Sequence, residues 1–337
     1  MRRIARTSCT SRTDGSCRAS PSPPWTPASP VLWTHVDFLW TCRGGKLLDA
    51  RAHPCGAKPG AACASCYDDI DAERALVRQV REELVGAMAR GVSLHHAPCP
   101  FMAEHVVGAG APRDRVLTAP YGVPASMRAV EKTPSADGRL RLGFIGRWNR
   151  IKGLSVLLGA IERLGESAPV ALTLYGEREV WNTDTYAMEI EARARRLANV
   201  RVAGRLDPSR LADAHRELDA LVVPSVWAEN SPVTILEALA LGTPVVCSDE
   251  AGMTNLIRDG ANGLVFSSGD AQALAEKLEI LARDGDLRTH LRAGARCVRT
   301  VEEGRGGIRA RILTGAAAGR SLEGEHAPAR PAAALRG

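Results

Sequence analysis

Glu229-Asn-Ser-Pro-Val-Thr-Ile-Leu-Glu237 lies between two short apolar runs, Asp219-Ala-Leu-Val-Val-Pro-Ser225 before it and Thr243-Pro-Val-Val-Cys-Ser248 after it. Both apolar runs have the length and β-branched content of buried strands. Ser231 reads as a helix N-cap and Pro232 as the first helical residue, where a missing N–H costs nothing. The helix then runs through Leu236, Ala238, Leu239 and Leu241 to a stop at Gly242. Strand, loop, helix, strand is an α/β unit, and its polar loop falls at the strand's C-terminal end, where open α/β sheets bind ligands. Glu229 stands beside the helix's unpaired N–H groups, and Glu237 about one and a half turns inside. A helix N-terminus attracts anions, so a diphosphate fits there with one carboxylate near each end to bind hydroxyls. Two glutamates at this spacing also occur on ordinary helices; the flanking strands single this pair out.

A second anion-binding element precedes it. Arg139-Leu-Arg-Leu-Gly-Phe-Ile-Gly146 reads as a strand ending in glycine, followed by Arg147, Lys152, Gly153 and a helix from Leu154 to Leu164. Arg147 can grip phosphate oxygens as a fork and Lys152 can act as a mobile point charge. In a parallel sheet both fall on the same side as the Glu229 loop. The plainer reading is two solvated surface cations. No G-x-G-x-x-G opens the Gly143–Gly153 region, which disfavours a dehydrogenase.

The stretch from Gly146 to Phe266 resembles the nucleotide-sugar domain of family-four glycosyltransferases (glycosyl transferases group 1), which have the GT-B fold. The resemblance is carried by Gly146-Arg147…Lys152-Gly153, Leu174-Tyr-Gly176, Val202-Ala-Gly-Arg205, Val223-Pro-Ser225, Glu229…Glu237-Ala, Gly242-Thr-Pro-Val-Val246 and Asp259-Gly-Ala-Asn-Gly-Leu-Val-Phe266. Each is weak alone; in this order and spacing they are specific. The resemblance implies an α/β chain with a Rossmann-like donor domain and a second, partial Rossmann-like acceptor domain. It implies a retaining transfer from a nucleoside-diphosphate sugar to a hydroxyl of a glycan, lipid-linked or small-molecule acceptor, as in cell-envelope polysaccharide biosynthesis. Arg147 and Lys152 would stabilise the leaving diphosphate without a divalent metal. Glu237 would bind the ribose and Glu229 the donor-sugar hydroxyls. Backbone N–H groups near Asn230 and Ser231 would hold phosphate oxygens. Gly146 belongs to the same donor-binding set, and the loop around Arg205 and Leu206 would receive the base. Asn255 departs from the pattern, standing where the family commonly has glutamate.

The organisation outside this stretch is less regular. Residues 1–30 and 301–337 show no strand or helix period and read as unstructured or out-of-frame tails. The first holds five arginines against one aspartate and the second six arginines against four glutamates, which together equal the net charge of +6. The basic pI of about 9.0 therefore belongs to the tails and is no sign of a nucleic-acid face. Residues 31–124 read as a partial acceptor domain, 125–138 as a linker and 139–300 as the donor domain. Within the acceptor part, Leu76, Val80, Leu84 and Met88 recur at helical spacing between Asp71 and Met88. At about 100 residues this part is short for half of a two-domain α/β enzyme. The glycine-rich loop that usually precedes the His35 segment in the resembling family is not visible. An exposed strand edge and apolar surface are expected there.

Val31 to Trp40 opens like a strand and then reads as a polar turn at His35 and Asp37. His35-Val-Asp37-Phe38 resembles a His-Asp-Phe segment found in part of the family, with Val36 inserted. It implies that His35 binds a sugar hydroxyl or orients a proton donor; a lone histidine is otherwise structural. Cys42, Cys55, Cys63 and Cys66 cluster in a loop rich in Gly, Ala and Pro. Three readings stay open: a structural zinc held by four thiolates, unrelated free thiols, or redox or disulfide use, which a cytoplasmic setting disfavours. No run approaches the eighteen apolar residues of a membrane span, and residues 1–30 carry no apolar leader segment. The expectation is a cytoplasmic protein, with peripheral contact to acidic lipid left open. Two alternatives stand beside the transferase: an inactive nucleotide-binding remnant and a zinc-stabilised interaction module.

Overall fold

The computed structural model describes residues 30–39, 41–42, 47, 55, 72–177, 185–295, 298–304 and 306. Residues 1–29 and 307–337 of the two tails lie outside the described residues, as do Cys63, Cys66 and most of the cysteine-rich loop.

Two parallel sheets are present. The smaller holds β1 (Leu32–Thr34), β2 (Leu94–Ala97) and β3 (Val116–Thr118) in that spatial order. Helix α1 (Ala72–Gly91) connects β1 to β2, and α2 (Pro100–Gly108) connects β2 to β3. The Cys99 thiol caps α2 by accepting from the Met102 amide at 3.4 Å. The larger sheet holds β4 (Leu140–Ile145), β5 (Val170–Tyr175), β6 (Val200–Gly204), β7 (Ala220–Val223), β8 (Val245–Ser248) and β9 (Gly263–Phe266). Their spatial order is β6-β5-β4-β7-β8-β9, all parallel. Helices α3 (Leu154–Leu164), α4 (Tyr186–Ala194), α5 (Leu211–Arg216), α6 (Val233–Ala240), α7 (Ala271–Arg283) and α8 (Gly285–Gly294) complete this unit.

The larger sheet is buried on both faces, and its strands show why. Side chains alternate across a strand. Ala220 and Val222 join one apolar cluster with Leu142, Val246 and Leu264. Leu221 and Val223 join another with Val245, Cys247 and Ile235. Strands apolar on both faces suit a parallel sheet covered by helices on both sides. Helix α3 buries Leu154, Leu157, Leu158 and Ile161 completely. Full burial of such a side chain is worth about 1.5–3 kcal/mol, which outweighs the roughly 1 kcal/mol lost to Gly159 in mid-helix.

Residues 125–138 form no helix or strand, but they are fastened. Val130 N–H donates to Leu241 O (3.1 Å) and Thr133 N–H to Arg216 O (3.0 Å). Lys132 Nζ donates to His215 O (2.7 Å) and Thr243 Oγ1 (2.5 Å). The chain later returns to the segment that follows β3: Val123 N–H donates to Arg299 O (3.0 Å) and Val301 N–H to Val123 O (2.9 Å).

That return corrects the start of the C-terminal tail. Residues 301–304 form a helical turn. Thr300 Oγ1 accepts from Glu303 N–H (3.2 Å) and Glu303 Oε2 accepts from Thr300 N–H (2.8 Å). This is a reciprocal capping box, and Thr300-Val-Glu-Glu303 carried its signature. Helix α1 runs to Gly91, and Val80 and Leu84 of its four-residue apolar repeat are more than half exposed. Periodicity located the helix but not what covers it. The expected exposed apolar surface is present, at Leu32, Trp33, Val36 and Leu39.

Candidate functional site

Strand β4 pairs with β5 on one side and β7 on the other. The chain winds from β4 through α3 to β5 in one direction and from β7 through α6 to β8 in the other. The C-terminal ends of β4 and β7 therefore open a crevice at the topological switch point. Two loops enter it, one after Ile145 and one after Val223. Gly153 makes them meet. Its φ is +69°, and a Cβ there would lie 1.7 Å from Pro224 O. Val226 N–H donates to Ile151 O at 2.9 Å across the same seam.

This contact brings Lys152 to Glu229. Lys152 Nζ donates to Glu229 Oε1 at 2.6 Å, with side-chain exposures of 27% and 8%. Ser225 Oγ donates to the same oxygen at 2.8 Å. The Trp227 ring lies 5.8 Å from Lys152 Nζ. The backbone of Glu229 is pinned as well, because its N–H donates to Ala251 O (2.9 Å). Gly252 packs so close that a Cβ would sit 1.9 Å from Glu229 O.

The helix after this loop begins one residue later than its sequence suggests. Pro232 is the N-cap, with an extended ψ of 114°, and α6 starts at Val233. Pro232 O accepts from Ile235 N–H (3.0 Å) and Leu236 N–H (3.3 Å). Ser231 is therefore not the cap, and its buried hydroxyl has no hydrogen-bond partner among the described residues. The buried Asn230 Oδ1 and Trp227 Nε1 share that state. The Gly242 stop is as expected: Gly242 has φ +71°, Gly242 N–H donates to Leu239 O, and Thr243 N–H to Ala238 O. Glu237, on the fifth residue of α6, is half-buried, and desolvation raises its carboxyl above the ordinary range.

The remaining expected residues lie on other elements. Gly146 N–H donates to Tyr175 O at 3.2 Å, just past β4. Arg147 is exposed beside it. Leu206 is half-buried in the loop after β6. His35 belongs to the smaller sheet, and the polar turn expected there is an interior position. His35 is 1% exposed, and its Nε2 lies 3.0 Å from His95 Nδ1. Its carbonyl accepts from Tyr121 Oη at 2.9 Å. Burial, with His95 and His96 adding to it, lowers its pKa to about 3. Cys42 is buried and Cys55 half-buried, both free of disulfides. Among the described residues no three His, Cys, Asp or Glu side chains converge as metal ligands. Ser225 escaped the sequence reading as a site residue, although Val223-Pro-Ser225 was conspicuous. Its pairing with Glu229 needs the loop's turn, which no periodicity reports.

A lysine and the Glu229 carboxylate meet just before the N-terminus of α6, the helix that also carries Glu237. This equips the crevice to hold an anion between hydroxyl-binding groups. The fold and site define a switch-point ligand-binding α/β protein. The glycosyl transferases group 1 family model matches residues 127–297, and the chain belongs to that family. It is 33% identical over 187 residues to the phosphatidyl-myo-inositol mannosyltransferase of Mycobacterium leprae, covering 53% of this chain and 48% of that protein. It is 34% identical over 206 residues to the D-inositol 3-phosphate glycosyltransferase of Xylanimonas cellulosilytica, covering 56% and 48%. The chain thus spans about half the length of the curated relatives it matches. Among solved structures it resembles Anabaena HepE in complex with UDP, with a TM-score of 0.63, 18% identity and coverage of 85% and 72%. It also resembles the sucrose-phosphate synthase of Thermosynechococcus elongatus, with a TM-score of 0.59, 21% identity and coverage of 74% and 65%. The likeness is one of fold, and the fold is the GT-B type expected from the sequence.

Proposed function

We propose that this protein transfers a glycosyl group from a nucleoside-diphosphate sugar to an acceptor hydroxyl with retention of configuration. The observation that carries the reading is the Lys152–Glu229 pair at the N-terminus of α6, with Glu237 further along the same helix. The diphosphate sits at that N-terminus, where the amides of Asn230, Ser231, Val233 and Thr234 make no hydrogen bond among the described residues. Arg147, Lys152 and the helix end neutralise charge on the leaving phosphate, which accepts the acceptor's proton. Glu229 holds donor-sugar hydroxyls, Glu237 the ribose, and the loop around Arg205 and Leu206 the base. His35, neutral and held by His95, suits a hydrogen bond to a hydroxyl rather than donation from an imidazolium.

The names of relatives support a polyol or envelope-glycan acceptor. Two are named for phosphatidyl-myo-inositol and inositol phosphate, and another for lipopolysaccharide core biosynthesis. We infer a cytoplasmic site of action with peripheral membrane contact when the acceptor is lipid-linked. Among the described residues no helix is long and apolar enough to cross a membrane. Structural zinc at Cys42, Cys55, Cys63 and Cys66 is a separate proposal, and metal analysis decides it: one zinc per chain supports it and none ends it.

The direct test is thermal unfolding with UDP, GDP and ADP, on wild type and on Glu237→Ala. A ligand at one hundred times its Kd stabilises by about 2.7 kcal/mol. The expected result is a shift with one nucleotide, abolished by the substitution. No shift with any of the three, on folded protein, removes the donor site and with it the transferase reading.

A further inference from the structure

The two carboxylate oxygens of Glu229 are not treated alike. Oε1 accepts from both Lys152 Nζ (2.6 Å) and Ser225 Oγ (2.8 Å). Oε2 accepts no hydrogen bond among the described residues. An ionised carboxylate has about four acceptor positions, so loading two donors on one oxygen leaves the other to face a ligand.

The two donors differ in what holds them. Lys152 ends a flexible four-carbon stem and is part-exposed. In the function proposed above, its ammonium also serves the diphosphate. Ser225 is fully buried. Its carbonyl accepts a hydrogen bond from Ser248 Oγ, at the end of the neighbouring strand β8. Rotating the Glu229 carboxylate would strand the Ser225 hydroxyl unpaired in the interior, which is costly. When a diphosphate draws Lys152 toward itself, Ser225 is the donor that still holds Oε1.

We propose that Ser225 is a positioning residue: it fixes the Glu229 carboxylate so that Oε2 addresses the glycosyl group of the donor. Ser225 therefore sets the preference for a nucleoside-diphosphate sugar over the bare nucleoside diphosphate. This rests on the donor site proposed above.

Calorimetric titration tests it with UDP-glucose, GDP-mannose and ADP-glucose, each beside its own diphosphate, on wild type, Ser225→Ala and Ser225→Thr. For the base that wild type recognises, Ser225→Ala should weaken the nucleotide sugar about tenfold, the scale of a hydrogen bond to a charged group. Its diphosphate should change by less than about twofold, since that ligand does not use Oε2. Ser225→Thr, which keeps the hydroxyl, should restore the preference. Ser248→Ala touches neither Glu229 nor the ligand and should move the same ratio in the same direction; it carries the test if Ser225→Ala does not fold. Equal weakening of sugar and diphosphate, or no weakening of either, overturns the role of Ser225 and leaves the donor site standing. Wild type that binds none of the six ligands overturns the donor site, and this inference with it.

Discussion

Lys152 and Glu229, 77 residues apart in the chain, meet at 2.6 Å. They meet because the turn ending at Gly153 presses its backbone onto Pro224, one residue before the serine that also holds Glu229. The pair is partly desolvated, and neither charge is fully enclosed.

Breaking one side of this pair should cost stability as well as function. Loss of one partner of a fully buried pair costs about 3–5 kcal/mol, whereas exposed pairs are worth about 0–1 kcal/mol. The 27% exposure of Lys152 places this pair between them. Lys152→Met should therefore destabilise by about 1–3 kcal/mol, and adding Glu229→Gln should recover most of that. Transfer should fall about 10²–10³-fold in Lys152→Met, the scale of losing one preorganised charge stabiliser. Urea unfolding of the double-mutant cycle, with turnover alongside, reads both. Purely additive stabilities would show that the two side chains do not interact.

Gly153→Ala should be among the most damaging single changes in this unit. The added Cβ meets Pro224 O at 1.7 Å in a backbone with φ +69°. More than about 4 kcal/mol is expected, the range reserved for named steric mechanisms. Gly138 provides the control, since its φ is +72° and nothing lies within 4 Å of an added Cβ. Gly138→Ala should cost only the conformational penalty of about 1–2 kcal/mol. Similar losses in the two variants, by denaturant unfolding, would contradict the close approach.

Glu237→Gln should raise stability and remove nucleotide binding. Desolvation raises the folded-state carboxyl above its unfolded value. Its stabilising share is therefore present at low pH and lost as pH rises through the folded value. The amide avoids that loss, so the gain in Tm should be seen at pH 7 and vanish in acid. A lower Tm at pH 7 with unchanged packing would argue against the desolvation account.

Acid should weaken the fold well before its carboxylates titrate. Burial lowers His35 and His215 to about 3, helped by His95 and His96 in one case and Lys132 in the other. Between about 6.5 and about 3 the unfolded chain binds protons that these native imidazoles refuse. Their contribution is whole above about pH 6.5 and is lost as pH falls, by at most about 1.4 kcal/mol per group per unit. Urea midpoints should decline from pH 7 to pH 5, and less steeply in His35→Asn. A flat profile over that range would show the imidazoles to be protonated in the folded state.

How far the sequence could be read depended on whether a property was local. The apolar runs at 140–145, 220–223 and 245–248 and the helix from Leu154 to Leu164 follow from composition and period, and all are in place. So are the Gly242 stop and the order of family motifs from Gly146 to Phe266. Other features needed distant partners. His35 looked like a turn residue because its burial comes from His95 on a neighbouring strand, 60 positions away. Val80 and Leu84 fit the helical repeat yet are exposed, because periodicity marks a face without saying what meets it.

By itself the sequence determined the parallel α/β class, the loop and helix that carry Glu229 and Glu237, and the cations before Gly153. Strand and helix periods, caps and turn residues act within a few positions, so they survive without coordinates. Only the tertiary structure decided that Lys152 meets Glu229 and that Ser225 holds the same oxygen. It alone showed that the linker is fastened through Lys132 and that Val301 returns to Val123. Those relations join residues far apart in the chain, and only packing the sheet's loops and crossings against one another brings them within hydrogen-bond distance.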